Sequence, residues 1–171
     1  VSMFLFAFVL GIGQGYQPVS AYSHGAGRDD RVREGYWFTL LSSEAVIGIL
    51  AILAVMFAAP IVQFFRDDPE VVAIGAGAMK YFGIAAFFQP MSVCTNMMFQ
   101  SIGEARIATF LSTLRSGLYY VPILLILPRF LGLLGIQSAV LWSDMLTALT
   151  SLPFALNFFR KLSRKERPKE A

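Results

Sequence analysis

Nine of the polar side chains that stand inside otherwise apolar stretches of this sequence carry the chemistry that most needs explaining. Four are ionisable: Glu44, Lys80, Arg115 and Asp144, each the lone charge in its run. Five are amides: Gln14, Gln17, Gln89, Asn96 and Gln100. A charge at the centre of a lipid bilayer costs roughly 2.5–3.5 kcal/mol on insertion scales, so it takes a partner or faces a wet cavity. An amide in hydrocarbon likewise needs a partner on a neighbouring helix. Such a set can form ion pairs, exchange a cation or proton, and hydrogen-bond a polar guest. Covalent catalysis is not indicated, because no nucleophile–base constellation and no phosphate-binding glycine loop can be read. The glycines of GIGQG sit inside an apolar span and lack the preceding strand of a dinucleotide fingerprint. One histidine and one cysteine, His24 and Cys94, make no metal-ligand motif. Neither a metal nor an enzyme activity is expected.

Spacing suggests how these residues meet. Glu44 lies eight residues in from Tyr36 and Arg115 eight in from Ile107, which puts both about 12 Å deep from one face. Lys80 and Asp144 each lie nine residues in from the opposite face, about 13–14 Å deep. The expectation is one opposite-charge pair in each leaflet, Glu44–Arg115 and Lys80–Asp144; the rival is that the cations snorkel along their stems. At 100° per residue, Gln89, Ser92, Asn96 and Gln100 share one face of a helix, with Lys80 opposite. Gln137, Asp144, Thr147 and Ser151 form a second stripe. Each stripe reads either as the wall of a polar cavity or as interhelical hydrogen bonding.

The elements that must position these groups follow from the distribution of charge. The chain has 171 residues, 56% of them hydrophobic and 15% charged, with a mean hydropathy of +0.62. Soluble domains carry about 25% charged residues. Five stretches hold one charge or none, and each is long enough for the ~20 residues a spanning helix needs. The spans fall at about 1–22, 36–65, 71–101, 107–127 and 135–159, and a basic tail at 160–171 reads as disordered. Prolines at 18, 60, 122 and 153 sit near span ends, and Pro90 sits mid-span. Asp68 is placed to cap a helix beginning at Pro69, and Pro128 with the glycines of PRFLGLLG to stop span four. Gly11, Gly13 and Gly15 surround Gln14 and Gln17, one helical turn apart, ahead of Pro18. That span suits close packing inside a bundle.

One side of the membrane collects Arg28, Arg31, Arg33, Arg106 and six basic tail residues; the other collects Arg66 and Arg129. The basic side is expected to be cytoplasmic. The net charge of +3 therefore points to a membrane surface and not to nucleic acid. No signal-peptide pattern is readable, and the chain starts with valine inside an apolar run, which suggests the C-terminal piece of a longer protein. Trp37 marks the cytoplasmic boundary, and His24 reads as an ordinary interfacial residue.

Several motifs resemble a known family. GIGQGYQPV (Gly11 to Val19), YSHGA (Tyr22 to Ala26) and RV (Arg31, Val32) are similar to the second span of the C-terminal lobe of multidrug and toxic compound extrusion (MATE) transporters. So are FRDDPEVVAIG (Phe65 to Gly75), FQSIG (Phe99 to Gly103), S-x-x-R-x-G (Ser112 to Gly117) and G-x-x-G-I-Q-x-A with S-D-x-L-T (Gly132 to Thr147). The resemblance covers nearly the whole chain and looks closest to the bacterial branch. It implies an all-α integral membrane protein: five transmembrane helices of a twelve-helix, two-lobe fold, corresponding to spans eight to twelve, in the plasma membrane with a cytoplasmic C-terminus. It implies Na⁺- or H⁺-coupled export of organic, cationic drugs by alternating access, with the N-terminal lobe and membrane lipid as partners and no cofactor beyond the coupling ion. Gln14, Gln17, Gln89, Asn96 and Gln100 are then candidates for the substrate cavity, and the four charges for buried roles. Two departures matter. Ser23 and His24 stand where the family often has Asn and Tyr. No acid lies between Glu70 and Glu104, so the coupling acid is expected outside this chain, in the N-terminal lobe or the seventh span. The rival readings are a lipid-linked precursor flippase of the same superfamily, a non-transporting scaffold and, third, a membrane enzyme.

Overall fold

The computed structural model describes residues 2–65 and 68–165. Arg66 and residues 166–171, which carry part of the expected charge asymmetry, lie outside the described residues. The described elements are α1 (Ser2–Gly25), α2 (Asp29–Met56), α3 (Ala58–Phe65), α4 (Pro69–Ala86), α5 (Gln89–Ser101), α6 (Ala105–Thr113), a π-helical turn (Leu114–Leu118), α7 (Tyr120–Leu131) and α8 (Leu133–Lys165). They make five rods: α1, α2–α3, α4–α5, α6–α7 and α8. Three helices are long and apolar enough to cross a membrane, Asp29–Met56, Ala105–Leu131 and Leu133–Leu162, and the bent pair α4–α5 makes a fourth if it is one span. The α1 rod, 24 residues long, has the length but not the hydropathy, because Gln14 and Gln17 fall within it.

Proline explains where the rods break. Its missing N–H leaves the carbonyl four residues back unserved. Pro60 deprives Met56, where α2 ends. Pro90 deprives Ala86, where α4 ends, and α5 resumes after a 46° bend. Pro122 deprives Leu118, the last residue of the π-helical turn, in which the Tyr119 N–H reaches back to the Leu114 carbonyl at 3.0 Å. Pro18 and Pro153 are carried inside unbroken helices.

The turns are shorter than the sequence suggests. α1 ends in a Schellman turn: Arg28 N–H bonds the Ser23 carbonyl at 2.9 Å and Gly27 N–H bonds the His24 carbonyl at 3.0 Å. Gly27 supplies the required positive φ of 69°. Gly103 closes α5 in the same way. Arg31 and Arg33 are therefore already helical, and α2 begins at Asp29 rather than near residue 36. Asp29 and Asp30 in its first turn suit the positive end of the helix dipole. His24 Nδ1 lies 2.7 Å from Asp29 Oδ1 across this turn. Asp68 caps α4 as expected, accepting the Glu70 N–H at 3.0 Å. Pro128 does not stop span four, because α7 runs through it to Leu131 and turns at Gly132. Residues 160–165 continue α8 instead of starting a disordered tail.

Lipid supplies no hydrophobic drive between helices, so association rests on close fit and interhelical hydrogen bonds. α1 packs on α2 and α5, and α8 on α7, α4 and α5. Tyr36, fully buried, bonds Thr95 Oγ1 at 2.8 Å and meets the Phe159 ring edge-on at 5.2 Å, tying α2 to α5 and α8. Tyr16 donates to the Val32 carbonyl at 2.8 Å and ties α1 to α2. Of the three glycines around Gln14, only Gly13 sits against a neighbour, Met97; nothing stands within 4 Å of a side chain placed at Gly11 or Gly15. Large apolar side chains such as Phe38, Leu41, Ile49 and Leu149 point outward, as a lipid-facing surface requires.

Candidate functional site

The polar groups inside the bundle form two clusters, one at the α4–α5 bend and one along the rest of α5.

At the bend, the only ion pair inside the apolar bundle among the described residues joins Arg115 Nε to Asp144 Oδ1 at 3.3 Å. Gln89 Nε2 donates to the other carboxylate oxygen, Asp144 Oδ2, at 3.0 Å. The expected pairs Glu44–Arg115 and Lys80–Asp144 do not form: Glu44 and Lys80 join no ion pair among the described residues, and Lys80 is exposed. The reason is depth. α6 begins at Ala105 and α8 at Leu133, each two residues earlier than the sequence suggests. Arg115 and Asp144 then lie about 15 and 16 Å from opposite ends of their rods, near the midplane of a ~30 Å hydrocarbon core. Residues counted from opposite faces meet in the middle.

Two members of this cluster, Arg115 and Gln89, are placed by irregularities, whereas Asp144 stands on the unbroken α8. Arg115 sits on the π-helical turn that Pro122 induces, and Ser143 Oγ donates to its carbonyl at 3.5 Å. π-turns within α-helices often mark functional sites. Gln89 is the first residue of α5, placed there by the Pro90 break. The Asp144 carboxylate thus lies beside a helix N-terminus, whose dipole favours negative charge. The Arg115 guanidinium also stacks 4.7 Å above the Phe6 ring, a cation–π contact from α1. Phe6, Phe82, Gln89, Arg115, Tyr120 and Asp144 help to line a cavity of about 330 Å³. Gln89, 2% exposed, has its Oε1 buried without a hydrogen-bond donor among the described residues.

The second cluster is a relay of amides. Gln17 Nε2 on α1 donates to Gln100 Oε1 on α5 at 3.3 Å, and Gln100 Nε2 donates to Asn96 Oδ1 at 2.7 Å. Asn96 Nδ2 donates to Ser112 Oγ on α6. Ser101 donates to Ser20 at 2.9 Å beside it. Gln17, Asn96 and Gln100 are therefore brought together, and Gln89 is not among them: it lies seven residues before Asn96 on α5, about 10 Å further along the helix, and bonds Asp144 instead. Gln14 is exposed and joins no hydrogen bond among the described residues. On α8, Gln137 Nε2 bonds the Ile74 carbonyl at 3.0 Å and rests over Gly77. Thr147 and Ser151 donate to their own helix, at 2.7 Å each. Thr147 and Ser151 thus serve packing, while Gln137 also lines an open pocket of about 560 Å³ beside Lys80 and Tyr81. Sequence reasoning missed Ser112, Phe6 and the π-turn; for the last, the signal is Gly117 followed five residues later by Pro122. Among the described residues no three His, Cys, Asp or Glu side chains gather to hold a metal.

Broken helices, a charged cluster at the midplane and an amide relay within an apolar bundle define an α-helical multi-pass membrane protein with the build of a secondary-transporter lobe. The chain belongs to the MatE family, whose model matches residues 1–126. It is 22% identical over 144 residues to the multidrug export protein MepA of Staphylococcus aureus strains MSSA476 and MW2, a match covering 84% of this chain and 32% of MepA. The chain thus spans about a third of the length of the curated relatives it matches. The fold is similar to an inward-facing structure of a multidrug resistance MATE family transporter of the MOP superfamily (TM-score 0.89, 17% identity, 97% of this chain and 39% of that one). It is also similar to an outward-facing one (TM-score 0.87, 18% identity, 95% and 37%).

Proposed function

We propose that this chain forms most of the C-terminal lobe of a cation-coupled antiporter that exports organic, cationic drugs across a bacterial plasma membrane. The lobe rocks against an N-terminal lobe so that a central cavity opens to each side in turn. The observation that carries the reading is the polar path along α5. It starts at the buried Gln89–Asp144–Arg115 cluster and ends at the Gln17–Gln100–Asn96–Ser112 relay, in a bundle whose other faces are apolar. The export function of the S. aureus relatives supports it. So does the likeness of these helices to both an inward-facing and an outward-facing structure, as expected of a lobe that moves as one body. Asp144 is the acid this chain itself supplies near the midplane, and Na⁺ or H⁺ is the ion exchanged. The gathering of Arg28, Arg31, Arg33, Arg106, Arg160 and Lys161 at one end supports a cytoplasmic C-terminus.

The test is efflux of a cationic dye by the full-length transporter, run separately with Na⁺ and pH gradients. The expected outcome is extrusion driven by one of the two gradients and abolished when that gradient is collapsed. Absence of gradient-dependent efflux of any organic cation would contradict the drug-export reading.

A further inference from the structure

At the basic end of the bundle, α2 and α8 enclose an open groove of about 890 Å³ lined by Arg33, Trp37, Leu156, Asn157, Phe159, Arg160 and Lys161. The two helices run antiparallel, so a shared order of residues must be read in opposite directions. On α2, Arg33 stands four residues nearer the end than Trp37. On α8, Arg160 stands four beyond Leu156, and Lys161 four beyond Asn157. Residues four apart share a helix face one turn apart. All three cations therefore crown the same end of the groove, with Trp37, Leu156 and Asn157 one turn deeper and buried Phe159 in the wall between.

The floor is built rather than incidental. Directly behind the groove, buried Tyr36 and Phe159 lock α2 to α8 with ring centroids 5.2 Å apart. Arg160 and Lys161 are held in α8, which continues to Lys165. No acid lines the groove, and none of the three cations joins an ion pair among the described residues. Trp37, 39% exposed, has the amphipathic ring that settles at a headgroup boundary.

We infer that this groove is a binding site for one anionic phospholipid. The cations take its phosphate, and Trp37, Leu156 and Phe159 receive the start of its acyl chains. Charge complementarity selects this occupant: uncompensated cations stand above an apolar wall at the depth where a lipid turns from headgroup to hydrocarbon. A soluble phosphate compound would use the cations and leave the wall unused. The inference does not depend on transport.

The full-length transporter in detergent, titrated with phosphatidylglycerol or phosphatidylethanolamine of matched chains and read by native mass spectrometry, tests it. Phosphatidylglycerol is expected to bind about tenfold more tightly. The combined variant Arg33→Ala, Arg160→Ala, Lys161→Ala loses that preference and binds the two lipids equally. A control variant, Arg28→Ala, Arg31→Ala, Arg106→Ala, removes equal charge from the same end outside the groove and keeps it. Unchanged melting temperatures in both variants separate lost binding from lost fold. Glycerol phosphate should not compete. Equal affinity for the two lipids, equal loss in the two variants, or displacement by glycerol phosphate would overturn the inference.

Discussion

In the full-length transporter, Asp144→Ala is expected to abolish efflux and to destabilise the protein by up to about 3 kcal/mol, because it leaves the half-buried Arg115 guanidinium within the apolar bundle without its counter-charge. Arg115→Ala should cost a similar amount by stranding the carboxylate. Removing both together is the informative step. An ion pair taken out of water is held against a large desolvation penalty, so replacing the whole pair by apolar side chains of similar size is often neutral or stabilising. Asp144→Leu with Arg115→Met should therefore recover most of the stability lost by Asp144→Leu or Arg115→Met alone, so that the coupling in the cycle of these three variants exceeds the cost of either single change. Efflux should not return, because the double variant restores packing and not the charged pair. Denaturant unfolding in detergent reads the first quantity and gradient-driven dye efflux the second. A double variant as unstable as the sum of the singles would show that Arg115 and Asp144 do not act on each other. Restored transport would show that the pair is only a brace.

The second large effect is expected at a glycine remote from the polar cluster. A methyl group added at Gly135 would meet the carbonyl carbon and oxygen of Leu127 at 2.5 Å and the nitrogen of Pro128 at 2.7 Å. These are backbone atoms of α7, held by the turn at Gly132, and no rotamer relieves them. Gly135→Ala should cost about 3 kcal/mol, the upper part of the range for overpacking, and lower the yield of folded protein. Gly13→Ala is the control, because its methyl meets only the Met97 thioether, the flexible part of a long side chain that can move aside. Both substitutions gain similar helix propensity, so that term cancels in the comparison. Unfolding midpoints that fall equally would contradict the close α7–α8 contact.

Much of the architecture is legible in the sequence because lipid imposes it. A rod that satisfies its own backbone in hydrocarbon has to be a long apolar helix, and five such runs can be counted without knowing how they pack. The Asp68–Pro69 start of α4 is local chemistry and is equally readable. The site is less so. Asn96 and Gln100 belong together because they are four apart on one regular helix, whereas Gln89, two turns before Asn96 on the same helix, reaches a different neighbour, Asp144 of α8. The pairing of Arg115 with Asp144 is hidden for two reasons. Depths were measured from rod ends that lie two residues further out, an error of about 3 Å on each side. The π-turn also inserts a residue at Arg115 itself, so the face it presents cannot be taken from a 3.6-residue period.

The central claim is that the amides inside this bundle face a wet path while its apolar surface faces lipid. Single cysteines placed at Gln14, Gln17 and Gln100 of the full-length transporter, in a background without other accessible thiols, can be compared with cysteines at the outward-pointing Ile49 and Leu149. The measurement is reaction with a membrane-impermeant maleimide in intact membranes. The account predicts labelling at the three amide positions, slowed by a transported dye, and none at Ile49 or Leu149. Amide positions as silent as Ile49 and Leu149 would contradict it.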